Sequence, residues 1–204
     1  MKAVLLNTLF AMILLSFGCG EGAPAENADA EAAADTTAMA APAPAAMSGE
    51  GYEIKILEAD IPSPRKEMKG TIGTAGITIN YGSPSVKERE IWGALVPYDK
   101  VWRTGANAMT TIEFASDVKI EGQTLPAGKY GLLSIPGKDK WTIIFSKSTD
   151  NWGDNGYDEA NDALRVMVTP APAATAAETM DFMVMGDAVV LKWADLTVPF
   201  KVGV

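Results

Sequence analysis

Histidine is absent from this chain of 204 residues, and cysteine occurs once. Without an imidazole there is no Ser-His-Asp triad, no Cys-His dyad, no histidine general base and no His-ligated zinc or haem. A single thiol excludes an intrachain disulfide and a Cys-rich metal site. Positive charge is also scarce: 17 Lys and Arg face 26 Asp and Glu, a formal net charge of -9. Affinity for a phosphate backbone comes from clustered basic side chains, so no nucleic acid is expected as a partner. The apolar start, Ala3 to Phe17, is shorter than the ~20 residues needed to cross a bilayer.

That start is informative in another way. Met1-Lys2, the apolar run and then Gly18-Cys19-Gly20 have the layout of an export signal. The small residue directly before a cysteine resembles the bacterial lipoprotein signal, which implies cleavage before Cys19 and lipid on its thiol. Ser16 and Phe17 depart from that pattern. A permanent anchor helix or a plain secretory signal is the alternative. Residues 1–18 are therefore expected to be a lipoprotein-type signal peptide. Acylation would also leave the folded part without a thiol to oxidise, which suits an exported protein.

Residues 19–49 are expected to be the acylated cysteine and a disordered tether. Alanine, proline and glycine dominate, and the five acids Glu21, Glu26, Asp29, Glu31 and Asp35 have no base among them. Low apolar bulk with charge of one sign does not repay the entropy of ordering. Residues 50–204 are long enough for one domain with a single core. Period-two runs recur along it: Tyr52 to Leu57, Lys69 to Gly73, Gly76 to Tyr81, Thr110 to Phe114, Val118 to Ile120, Gly128 to Ile135 and Trp141 to Phe145. Four more strands are expected at Leu164 to Val168, Phe182 to Met185, Ala188 to Trp193 and Leu196 to Val202, the last two joined by a tight turn at Ala194-Asp195. Short strands with close turns predict an all-β fold, an antiparallel two-sheet sandwich of jelly-roll-like type. One helical turn is expected within Pro84 to Leu95, capped by Ser85. Met183 and Met185 alternate as one strand face, and core packing is preferred over copper binding for them.

Ile61-Pro62-Ser63-Pro64-Arg65, the run Ile79 to Tyr98 and Val101-Trp102-Arg103-Thr104-Gly105-Ala106-Asn107 carry a resemblance. So do Leu125 to Tyr130, Ile135-Pro136-Gly137, Trp141 to Phe145 and Trp152-Gly153. Together they resemble the bacterial exported family catalogued as domain of unknown function 2911. The resemblance covers essentially the whole globular part and implies an exported, single β-rich domain. It supplies no catalytic residues. Glu88 is a departure, standing before Arg89 where a glycine is expected.

Arg89, Trp92, Tyr98, Trp102, Arg103 and Asn107 fall within one segment too rich in Gly and Pro to be a plain strand. A guanidinium offers a planar fork of donors to an anion, and an indole stacks on a sugar face, so these residues form a candidate ligand site for a glycan or small anion. The same residues could instead plug the end of the sandwich, with Arg103 and Asn107 satisfying loop carbonyls or an acid such as Glu113. The loop Asp150 to Glu159 is rich in hard oxygens but fails the EF-hand spacing, and no metal and no cofactor is expected. Hydrolysis by paired carboxylates needs no histidine, and Glu113 with Asp158 or Glu159 is the pair available to it. Three functions follow: a lipid-anchored envelope protein that binds a glycan or anion without catalysis, a carboxylate-dependent glycoside hydrolase, or a structural or assembly protein. The membrane, reached through the N-terminal lipid, is the first expected partner.

Overall fold

Residues 47–204 are described by the structure, a computed structural model. The first strands form hairpins. β1 (Met47–Gly49) turns through Glu50-Gly51 into β2 (Tyr52–Glu58), with Gly49 opposite Tyr52. Gly51 takes the left-handed φ of 83° that this turn requires. β1 therefore lies inside the stretch expected to be tether. The pairing is through backbone, which the composition of Met47-Ser48-Gly49 does not advertise.

β3 (Arg65–Ile72) and β4 (Ala75–Gly82) pair along their full length around Gly73-Thr74. β5 (Thr111–Phe114), β8 (Gly128–Ile135), β9 (Trp141–Ser146) and β10 (Asp162–Val168) complete a large sheet in the order β1-β2-β3-β4-β5-β8-β9-β10. The second sheet has four strands, in the order β11-β12-β6-β7. It comprises β6 (Val118–Ile120), β7 (Gln123–Leu125), β11 (Ala171–Met185) and β12 (Ala188–Gly203). All pairings between strands are antiparallel, and neighbours in sequence are mostly neighbours in the sheet. The two-sheet, all-β architecture is the one the periodicity predicts.

The core fills the space between the sheets. Met68, Ile77, Ile79 and Ile112 from the large sheet meet Phe182, Leu191, Trp193 and Phe200 from the small one. One ionic clasp crosses this apolar layer. Lys66 on β3 donates to Asp181 on β11 at 2.6 Å, and the Tyr81 hydroxyl on β4 donates to the same carboxylate oxygen at 2.9 Å. Lys66 is 5% and Asp181 9% exposed. Paired this way, neither charge is orphaned; removing one partner would leave the other buried alone. Burial first, and the adjoining Asp181 carboxylate second, hold the Tyr81 phenol well above its usual range.

Three local expectations are corrected. Pro84 to Leu95 contains no helical turn: Lys87 and Glu88 have φ of 49° and 58°, outside the helical region, so the chain turns sharply. Glu88 takes this left-handed conformation although it is not glycine. The only helix among the described residues is the 3-10 turn Glu159–Asn161. The two final strands are one, because Ala194 (φ 50°) stays paired with Ala177 and β12 runs on through it, the extra residues of the irregular register lying on β11. Met185 is 58% exposed, so the Met183 and Met185 face of β11 looks outward while Met180, Phe182 and Val184 supply the core.

Candidate functional site

The segment between β4 and β5 is an irregular strap held at many points. Ser83 Oγ donates to the Met180 carbonyl at 2.6 Å, Met180 N–H donates to the Pro84 carbonyl, and Val86 N–H donates to the Glu178 carbonyl. The strap is thereby stitched to the outer edge of β11. Further along, Trp102 exchanges two backbone hydrogen bonds with Ser134 on β8, at 2.8 and 2.9 Å. Thr104, a β-branched residue at φ 50°, is clamped there: its hydroxyl donates to Ser134 Oγ, and its carbonyl accepts from the Thr110 hydroxyl, both at 3.0 Å. A β-branched residue tolerates that backbone only where the surroundings impose it. Gly82 allows the close approach, since a Cβ there would lie 2.2 Å from the Ala106 carbonyl oxygen.

The strap divides the six candidate ligand residues among two grooves, the packing between the sheets and the support of a neighbouring loop. Arg89, Trp92 and Tyr98 line a first groove of about 600 Å³, facing Ala176, Ala177 and Glu178 of β11 and Asp195 of β12. Arg89 is partly engaged there: Nε donates to the Val86 carbonyl at 3.0 Å and Nη2 to the Ser85 carbonyl at 2.6 Å. Trp92 Nε1 donates to Asp195 at 3.0 Å. Behind it stand three more indoles, with Trp92 edge-on to Trp141 at 5.0 Å, to Trp193 at 5.6 Å and to Trp102 at 6.1 Å. Trp102 is stacked on Trp193 at 6.0 Å and donates to the Gly105 carbonyl at 3.2 Å. The indole nitrogens of Trp141 and Trp193 are buried without an acceptor among the described residues, so ring packing rather than hydrogen bonding holds these two.

Asn107 lines a second groove, of about 540 Å³, with Glu58, Ile61, Pro62, Arg65, Ala108 and Trp152. Asn107 Nδ2 donates to the Ser63 carbonyl at 3.3 Å, leaving its amide oxygen free of any protein donor among the described residues. Among the described residues Arg65 reaches only the Met109 carbonyl, at 3.5 Å. Burial pulls its guanidinium below the usual arginine range, and the Glu58 charge opposes that shift. Trp152 is 67% exposed. An indole left so open beside an under-satisfied guanidinium is the arrangement that stacks a flat ring and orients its polar rim.

Arg103 stands behind this groove, outside its lining. Its Nη1 pairs with Asp154 at 3.3 Å, and its buried Nε finds no acceptor among the described residues. It packs against Gly153, where φ is 69° and a Cβ would fall 2.3 Å from Arg103 Nη1. Arg103 therefore positions the loop that carries Trp152. The loop's far end is fixed by Tyr157, whose hydroxyl donates to Asp162 at 2.7 Å, while Arg165 Nε donates to the same oxygen at 2.5 Å. Arg165 Nη2 also donates to the Tyr157 hydroxyl. Burial, reinforced by Asp162 and opposed by Arg165, pushes the Tyr157 phenol up to about 12.

The carboxylates considered for hydrolysis are not brought together. Glu113 shares its cavity with Lys69, Thr78 and Ala115, and neither Asp158 nor Glu159 lines it. Asp158 accepts from Ala160 N–H as the cap of the 3-10 turn, and Glu159 pairs with Arg165 at 3.2 Å. Among the described residues, no three His, Cys, Asp or Glu side chains are grouped to hold a metal ion. Cys19 lies outside the described residues.

Arg65 and Trp152 are the groove residues that reasoning along the sequence missed. Each belongs to a segment that stood out, Ile61 to Arg65 and Trp152-Gly153, but nothing in their spacing joins positions so far apart. No curated protein and no solved structure matches the chain. Residues 63–202, more than half of its length, match the family described as Protein of unknown function (DUF2911), and the chain belongs to that family.

Proposed function

We propose that this protein is a membrane-anchored lipoprotein of the bacterial cell envelope that binds a glycan bearing an anionic group and does not transform it. The observation that carries this reading is the groove in which Trp152, 67% exposed, stands beside Arg65 and Asn107. The indole offers a stacking face to a sugar ring, the guanidinium a fork for a carboxylate or sulfate, and the Asn107 amide a polar contact with hydroxyls. Arg103, the centre of the sequence-based expectation, serves as the support of the loop. The lipid anchor at Cys19 and the exported location rest on the signal-like start of the chain and suit a protein with no other thiol.

Isothermal titration of the full-length protein with uronate-bearing and neutral oligosaccharides tests the binding. The uronate series should bind and be recovered unchanged. Trp152→Ala should abolish the heat, and Arg65→Lys, which keeps the charge but loses the fork, should weaken binding by roughly tenfold. Melting should be nearly unaltered in both. Undiminished binding by Trp152→Ala would remove the proposal, and cleavage of the oligosaccharide would replace it with a hydrolase. For the anchor, labelled lipid should be incorporated by the parent chain and not by Cys19→Ser.

A further inference from the structure

The first groove has the opposite chemistry. Its aromatic lining is Trp92 and Tyr98, alanines of β11 and β12 supply the small apolar part, and its charged lining is Arg89 with Glu90, Glu178 and Asp195. One base thus faces three acids, and that base already donates to two backbone carbonyls. Glu178 and Asp195 each use one carboxylate oxygen, towards Lys87 N–H and the Trp92 indole N–H, and keep the other free of protein donors among the described residues. The aromatic walls are fixed. Trp92 is wedged against Trp102, Trp141 and Trp193, and Tyr98 lies on Gly93, where a Cβ would come within 2.8 Å of its ring.

An aromatic face carries negative potential at its centre, so two rings with carboxylates beside them favour a positive group. We infer that this groove binds an ammonium group, held between Trp92 and Tyr98 and balanced by Glu90, Glu178 and Asp195. A guest of that kind gains from the rings and the acids together, whereas an anion would meet the acids and a neutral apolar guest would gain only the walls. The inference stands on residues separate from the Trp152 groove and does not depend on the reading of that site.

Small amines and the lysine side chains of polypeptides both carry such a group. Three probes are therefore titrated into the full-length protein at low salt: choline, its neutral isostere 3,3-dimethylbutan-1-ol, and a capped Ala-Ala-Lys-Ala-Ala peptide. Choline or the peptide should bind saturably, with the alcohol at least roughly tenfold weaker. Tyr98→Ala should lower affinity by roughly tenfold while Tyr98→Phe, which keeps the ring, binds as the parent does. Should Tyr98→Ala fail to fold, Glu90→Gln combined with Glu178→Gln tests the same site from the exposed rim and should also weaken binding. Arg65→Ala should leave the titration unchanged. Tighter binding of the peptide would assign the ammonium to a polypeptide, and tighter binding of choline to a small amine. Equal affinity for choline and the alcohol, absence of saturable binding by either cation, or loss of binding in Arg65→Ala would overturn the inference.

Discussion

The Trp92 groove and the Trp152 groove are each lined by an indole and an arginine, yet they are built on different foundations. Trp92 packs against three other indoles, and its groove is lined by the strap, β11 and β12, so its shape is tied to the core. Trp152 sits on a loop held at its base by Arg103 and Asp154 and at its end by Tyr157, Asp162 and Arg165. Apart from changes to the groups that touch the ligand, the first groove should therefore fail only when the fold is weakened. The second should fail by local displacement in a protein that remains folded. Rigid packing and a pinned loop are two ways of presenting the same aromatic group, and perturbations tell them apart.

The largest expected effect comes from Trp102→Ala. Truncating the indole stacked on Trp193 should cost about 3–5 kcal/mol in denaturant unfolding and degrade cation binding at the Trp92 groove. Binding at the Trp152 groove should persist in the molecules that remain folded. Asp181→Ala should follow at about 3 kcal/mol, because it leaves the Lys66 ammonium buried without its partner at 2.6 Å. Asp181 belongs to the stretch of β11 that the strap is stitched to, so the Trp92 groove should again suffer first. Replacing all three partners together, Lys66→Met and Tyr81→Phe with Asp181→Leu, should recover most of that loss; if it does not, the clasp does more than neutralise a buried charge.

Gly153→Val sharpens the contrast from the other side. It should cost only about 1–2 kcal/mol for the left-handed backbone, yet it drives a side chain into Arg103 and should eliminate binding at the Trp152 groove while sparing the Trp92 groove. The smallest effect concerns pH. The Tyr157 phenol ionises near 12 in the folded protein against an ordinary value of 10.0, so its folded value is the higher one. Its contribution to stability is present in full below pH 10.0 and fades as pH rises through about 12. Subtracting the tyrosinate absorbance titration of Tyr157→Phe from that of the parent should isolate a component with a midpoint near 12. A midpoint near 10.0 would mean that the corner under the Trp152 loop is open to water.

Much of the sandwich was legible because alternation is a local signal. Thr111 to Phe114 and Val118 to Ile120 show it, and Glu121-Gly122, both at positive φ, form the turn their residue types suggest. The misreadings share a cause. Ala194-Asp195 reads as a turn, but pairing with β11 at Ala194 and on either side of it keeps β12 continuous. Met183 and Met185 alternate as a face should, and only the packing of Phe182 and Val184 decides that this face is the outer one. The candidate site was half legible for the same reason. Arg89 to Asn107 stands out as irregular and rich in recognition residues, but the strap carries its members past each other to opposite uses. Arg65 and Trp152 meet Asn107 only through the fold.

The chain has five tryptophans, and its indole N–H signals in a heteronuclear NMR spectrum report both grooves at once. Adding a uronate oligosaccharide and then tetramethylammonium to one sample is the most direct measurement. The account predicts that the sugar shifts the Trp152 signal and leaves Trp92 in place, and that the cation does the reverse. Both ligands moving the same indole, or neither moving any, would contradict it.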